Sequence, residues 1–138
     1  MLFDDKITKI LKTCRRIAVV GLSPKPARPS HQVAAYLLAA GYEVVPVNPG
    51  HDKILGRQCY PDLESIPGPV DIVDIFRRAA DVPPVVDSAI VIGAKVVWMQ
   101  EGIINEEAAQ RAAAAGLEVV MDNCLKVAHQ NLVNMKVL

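Results

Sequence analysis

The chain has 138 residues, 51% of them hydrophobic, and 15 basic side chains balance 15 acidic ones to a formal net charge of zero. That length fits one compact domain over residues 1–138, and the apolar share supports a packed core. Charge balance excludes a nucleic-acid binder that works by bulk positive charge, though not a local basic pocket. No segment reaches the roughly 20 apolar residues of a membrane span.

Residues 1–14 read as a mixed polar and apolar helix with Asp4, Asp5 and Lys6, without the apolar core of a signal peptide. Residues 17–21, Ile-Ala-Val-Val-Gly, form a first strand. A Pro-rich stretch over 23–29 leads into a helix over 31–40, with Val33, Tyr36, Leu37 and Ala40 at helical spacing and Gly41 as its stop. Residues 43–47 are a second strand, in which Pro46 is tolerable only near a strand end or an edge. Residues 51–69, punctuated by Gly56 and Pro61, read as loop with at most a helical turn around Leu63. A third strand over 70–76 and a helix over 83–93 follow, then a fourth strand over 95–99 and a helix over 105–115. A fifth strand spans 117–121 and a last helix 126–134.

The strands are apolar runs with little alternation, as expected when helices cover both faces of a parallel sheet. Strand and helix alternate along the chain, which predicts an α/β, doubly wound, five-stranded parallel sheet, with 3-2-1-4-5 as the expected order. Ligands of such sheets sit outside the carboxyl ends of the strands, here at a switch point between strands 1 and 4. The three cysteines, Cys14, Cys59 and Cys124, are odd in number and widely spaced. They suit neither a disulfide framework nor a CxxC metal site, and the expected location is cytoplasmic.

The strand ends hold the unusual residues. After Gly21 a dinucleotide fingerprint would place glycines where Ser23 and Pro26 stand, so the GxGxxG pattern is absent. What remains is a glycine, a hydroxyl, the cations Lys25 and Arg28, and a helix N-terminus near Ser30, a combination suited to phosphate. The second strand ends at Asn48-Pro49 with no acid before Asp52, which argues against an NAD ribose clamp. Arg77 and Arg78 end the third strand, with one of the two expected to face the crevice. Gln100, Glu101 and Gly102 end the fourth, where Trp98 is expected in the core, and Cys124 lies after the fifth.

Catalytic groups and metal ligands are not identified. His31, His51 and His129 are scattered, and Asp71 and Asp74, three apart on a strand, face opposite sides. The pattern is that of a site for an anionic ligand.

Three runs carry a resemblance: Val19-Val20-Gly21-Leu22-Ser23-Pro24-Lys25-Pro26, Val44-Val45-Pro46-Val47-Asn48-Pro49, and Val96-Val97-Trp98-Met99-Gln100. They resemble the small stand-alone CoA-binding proteins, a family related to the CoA-binding domain of the succinyl-CoA synthetase α subunit. The likeness runs from about Ile17 to Cys124 and includes Ile54-Leu55-Gly56 and Asp74-Ile75-Phe76-Arg77-Arg78. It implies a Rossmann-like domain with coenzyme A at the switch point. Gly21, Leu22, Ser23 and Pro24 would line the phosphates, with Lys25 and Arg28 as nearby cations. Asn48, Pro49 and His51 would lie toward the nucleotide end, Arg77 after the third strand, and Met99, Gln100 and Glu101 after the fourth. The synthetase region bearing the phosphorylated histidine has no counterpart here, so ligase activity is not implied.

A ligand with a pyrophosphate and a 3′-phosphate suits several separate cations and would be repelled by an acidic ribose clamp. The expectation is therefore a protein that binds CoA or an acyl-CoA, as a homodimer or as the partner of a ligase subunit, with no nucleic-acid or membrane partner. Cys124 is expected to be an inert, partly buried cysteine rather than a partner of the CoA thiol in a mixed disulfide. Two rivals are an NAD(P)-dependent oxidoreductase, which would bind NADH over CoA, and an interaction module for a separate ligase subunit, which would co-purify with it.

Overall fold

The computed structural model describes residues 5–138. Helix α1 (Asp5–Thr13) precedes β1 (Arg16–Val20), α2 (Pro29–Ala39) and β2 (Glu43–Val47). Two short strands, β3 (Lys53–Ile54) and β4 (Arg57–Gln58), come next. Then follow β5 (Ile72–Ile75), α3 (Val82–Val91), β6 (Val96–Met99), α4 (Glu106–Ala114), β7 (Glu118–Val120) and α5 (Leu125–Asn134). The residues up to Asp4 of the expected first helix lie outside the described residues.

Five parallel strands form one sheet in the order β2-β1-β5-β6-β7. The doubly wound α/β fold is as expected, but the order differs. Counting the five long strands alone it is 2-1-3-4-5, so strand 3 sits beside strand 1, and the switch point lies between β1 and β5 rather than between strands 1 and 4. Pro46 supplies the physical reason. A central second strand would need the amide that proline lacks, whereas at the sheet edge that loss is harmless.

Side chains on each strand alternate between two cores. Ile17 and Val19 of β1 face α1, α2 and α5 together with Trp98 and Leu125. Ala18 and Val20 face α3 and α4 together with Val86 and Ala112. Trp98 is fully buried, as expected, and its indole N–H donates to the Asn123 carbonyl at 2.8 Å.

Residues 51–69 hold more structure than the expected loop. β3 and β4 pair antiparallel through Leu55 and Gly56, whose φ angles of 54° and 70° are the two left-handed positions of a type I′ turn. The chain then returns along β2. The Tyr60 amide donates to the Pro46 carbonyl at 3.0 Å, and the Asn48 amide donates to the Tyr60 carbonyl at 2.9 Å. At the other sheet edge the Lys6 ammonium donates to the Val119 carbonyl at 2.5 Å.

Asp71 fastens the amino end of the sheet. Its Oδ2 accepts from the Arg15 and Arg16 amides at 2.8 and 3.0 Å, and Lys95 lies 3.3 Å from Oδ1. Burial alone would raise this carboxyl, but the two amides and Lys95 outweigh it and hold it below the usual carboxylate range. Its stabilisation is therefore present above that range and is lost as pH falls through the lowered value. Asp71→Asn should cost about 1–3 kcal/mol at pH 7, the worth of charge-assisted hydrogen bonds. In urea unfolding the deficit should shrink in strong acid.

Candidate functional site

The carboxyl ends of β1 and β5 meet almost without clearance. The Phe76 amide donates to the Val20 carbonyl and the Gly21 amide to the Val47 carbonyl, both at 2.9 Å. Gly21 has φ 88°, and a Cβ there would collide with the Phe76 carbonyl and lie 3.0 Å from Nη1 of Arg77. Only glycine supplies both that φ and that clearance. Gly21→Ala should therefore destabilise the fold by about 2 kcal/mol or more, read by urea unfolding.

The loop after Gly21 is ordered by its own hydroxyls. The Ser23 amide donates to Oγ of Ser30 at 3.0 Å, the Lys25 amide to Oγ of Ser23 at 3.1 Å, and the Ser23 carbonyl is 2.9 Å from Nδ1 of His31. Helix α2 begins at Pro29 itself, two residues before its expected start, because proline fits the first turn. With the Ser23 amide already engaged, the positive charge comes chiefly from side chains. Gly21, Ser23, Lys25, Arg28, Arg77 and Arg78 line a cavity of about 510 Å³ that has no acidic residue in its wall. Among the described residues Lys25, Arg28 and Arg77 have no acidic partner, while Arg78 pairs with Asp81 at 3.0 Å.

Pro29, Phe76 and Ile103 also border a second cavity of about 470 Å³, whose wall includes Val33, Gln100, Glu101 and Cys124. On the opposite side, Arg77 is shared with a smaller recess of about 180 Å³ lined by Val20, Val47, Leu63 and Val85. Three adjoining cavities thus lie along the carboxyl edge: a mainly apolar recess that includes Asp62, a cationic centre, and a pocket with Cys124 in its wall.

The structure brings together most of the residues singled out from sequence. Gly21, Ser23, Lys25, Arg28 and Arg77 meet in the cationic cavity, and Gln100 and Glu101 meet in the next. Both Arg77 and Arg78 face the crevice, where one was expected. Leu22 and Met99 are fully buried core residues. Asn48 acts on the frame, its side-chain amide donating to the Leu22 carbonyl at 2.8 Å. Pro24, Pro49 and His51 are exposed and line none of these three cavities. Of the scattered histidines, His129 belongs to the core, with its Nδ1 2.7 Å from the Tyr36 hydroxyl and its pKa lowered by burial.

Sequence reasoning weighed Asp74 only as a pair with Asp71 and gave it no role in the site. It is fully buried in β5 between Val19 of β1 and Trp98 of β6. Its Oδ1 accepts from the Gln100 side-chain amide at 2.5 Å, and its Oδ2 has no partner. Burial pushes its pKa up to about 7, against the lowering effect of the Gln100 hydrogen bond. The native protein then holds a proton that the unfolded chain loses near the ordinary value of 3.8, so stability falls as pH rises from about 4 to 7. Asp74→Asn should accordingly raise the melting temperature at pH 8 and leave it nearly unchanged at pH 4.

Known proteins share this architecture. The Bacillus subtilis (strain 168) protein YneT, itself uncharacterized, is 47% identical over 124 residues, covering 90% of this chain and 92% of its own. A solved hypothetical protein from Pyrococcus horikoshii OT3 superposes with a TM-score of 0.91 at 43% identity, over 94% of this chain and 91% of that one. The ADP-forming acetate–CoA ligase I of Archaeoglobus fulgidus is 31% identical over 119 residues, which are 79% of this chain but 17% of the ligase. The family model of the CoA binding domain matches residues 15–130, from the foot of β1 into α5 and across every strand of the sheet. The chain belongs to that CoA-binding domain family, and through it is related to the CoA-binding domain of ADP-forming acetate–CoA ligases.

Proposed function

We propose that this protein is a single-domain cytoplasmic binder of coenzyme A or its thioesters, holding the ligand along the groove at the β1–β5 switch point. The observation that carries this reading is the cationic cavity, in which Lys25, Arg28 and Arg77 face solvent without acidic partners. Cations left unpaired at the carboxyl edge of a parallel sheet suit a polyanion, and CoA carries a pyrophosphate and a 3′-phosphate.

The neighbouring cavities suit the remaining parts of the same ligand. The recess of Val20, Val47, Leu63 and Val85 offers mainly apolar walls for a base, with Asp62 and Ser88 as its polar members. The pocket of Val33, Phe76 and Gln100 offers room for the arm, with Glu101 and Cys124 also in its wall. No acid borders the cationic cavity, so a 3′-phosphate meets no repulsion there. The cationic groups that line the groove support a carrier or sensor of CoA as the reading.

Thermal unfolding with CoA, acetyl-CoA, NAD and NADP in matched excess tests the reading. CoA at about 100 times its dissociation constant stabilises by roughly 2.7 kcal/mol, a rise of several degrees in melting temperature. The expected result is a shift with CoA and acetyl-CoA and none with NAD. Arg77→Ala should weaken CoA binding roughly tenfold or more, as loss of a charge-assisted hydrogen bond does. A shift with NAD alone would overturn the assignment.

A further inference from the structure

We propose that Asp74 and Gln100 form a specificity-determining couple that selects between free CoA and acyl-CoA according to whether Asp74 carries a proton. The proposal rests on the CoA reading above and concerns the pocket in which the thiol end of that ligand would lie.

Gln100 joins two environments. It is 3% exposed and lines the pocket with Glu101 and Cys124, and its Nε2 donates to Oδ1 of the fully buried Asp74 at 2.5 Å. A side-chain amide has one donor end and one acceptor end of nearly equal size, so a half-turn exchanges them at little steric cost. An ionised carboxylate only accepts, so it takes the NH₂ end of Gln100 and leaves Oε1 for the pocket. A protonated Asp74 is a buried donor that must be satisfied. Its Oδ2 has no partner, so the acceptor within reach is Oε1 of Gln100. Protonation therefore turns the amide and presents the NH₂ end to the pocket.

The two ligands differ at the atom this end would meet. A thiol S–H is a weak donor and prefers the oxygen, whereas a thioester carbonyl accepts and prefers the NH₂ group. Ionised Asp74 thus favours free CoA, and protonated Asp74 favours the thioester. Burial has already brought this carboxyl to about 7, so the exchange falls at neutral pH.

The surroundings leave Asp74 as the titrating centre. Its sheet neighbours, Val19 on β1 and Trp98 on β6, carry no charge. Across the pocket stand Glu101, after β6, and the Cys124 thiol, before α5, while Arg77 lies in the adjoining cationic cavity. In the helical layer above, His129 of α5 is engaged with Tyr36 of α2, and Lys126 lies 5.8 Å from the Tyr36 ring.

Dissociation constants for CoA and acetyl-CoA, measured by calorimetry from pH 5.5 to 8.0, test the couple. Both ligands carry the same phosphates, so phosphate ionisation cancels in their ratio. The expected result is a preference for acetyl-CoA that falls roughly fivefold across this range, the worth of one hydrogen bond. In Asp74→Asn and in Gln100→Met the ratio should be flat while both ligands still bind. A flat ratio in the unaltered protein with both ligands bound would overturn the couple and leave the CoA reading intact. A slope that survives in Asp74→Asn would overturn it in favour of Glu101 or Cys124. Failure of both ligands to bind at any pH would remove the CoA reading and the couple with it.

Discussion

The carboxyl ends of β1 and β5 approach so closely that the Phe76 carbonyl occupies the space where a side chain on residue 21 would stand. This contact closes the ladder between the two strands that head opposite halves of the sheet. It also fixes the positions of both loops that furnish cations, one after Gly21 and the other beginning at Arg77. The two loops come from distant chain segments, and the Phe76 to Val20 hydrogen bond joins the strand ends from which they leave. A rigid seam beneath a charged surface keeps like charges together that would otherwise separate, and that stored repulsion is available to a polyanion.

Much of this was legible in the sequence. The apolar runs over 17–21, 43–47 and 95–99 coincide with strands to within a residue, because strands buried on both faces need continuous apolar character. The rule that ligands gather at carboxyl ends led to Lys25, Arg28, Arg77, Gln100 and Glu101, all of which line the groove. The strand order was less accessible, although Pro46 carried the information. A proline that requires an edge is incompatible with a second strand lying between strands 1 and 3. The hairpin of β3 and β4 was hidden because its turn places Leu55, rather than asparagine or aspartate, at the first left-handed position.

Asp74 shows where a local reading stops. Between Val73 and Ile75 its carboxylate looks like one polar residue at a strand end, and nothing nearby in sequence announces a partner. Gln100 lies 26 residues further on and meets it only because β5 and β6 are neighbours in register. Pro49 and His51 show that a place after a strand does not fix which way a residue faces. They follow a strand and share the expected location, but the chain carries them outward into solvent, and Asn48 contributes through the backbone of Leu22 instead.

The treatment of the sheet borders bears on how this chain can associate. Along β2 the returning segment at Tyr60 already occupies backbone groups of Pro46 and Asn48, and on the three-residue β7 the Lys6 ammonium takes the Val119 carbonyl. An extended peptide from another molecule would have to displace these before it could add a strand. At these positions the backbone groups that strand addition would use are already taken, which discourages edge-to-edge growth of the sheet there.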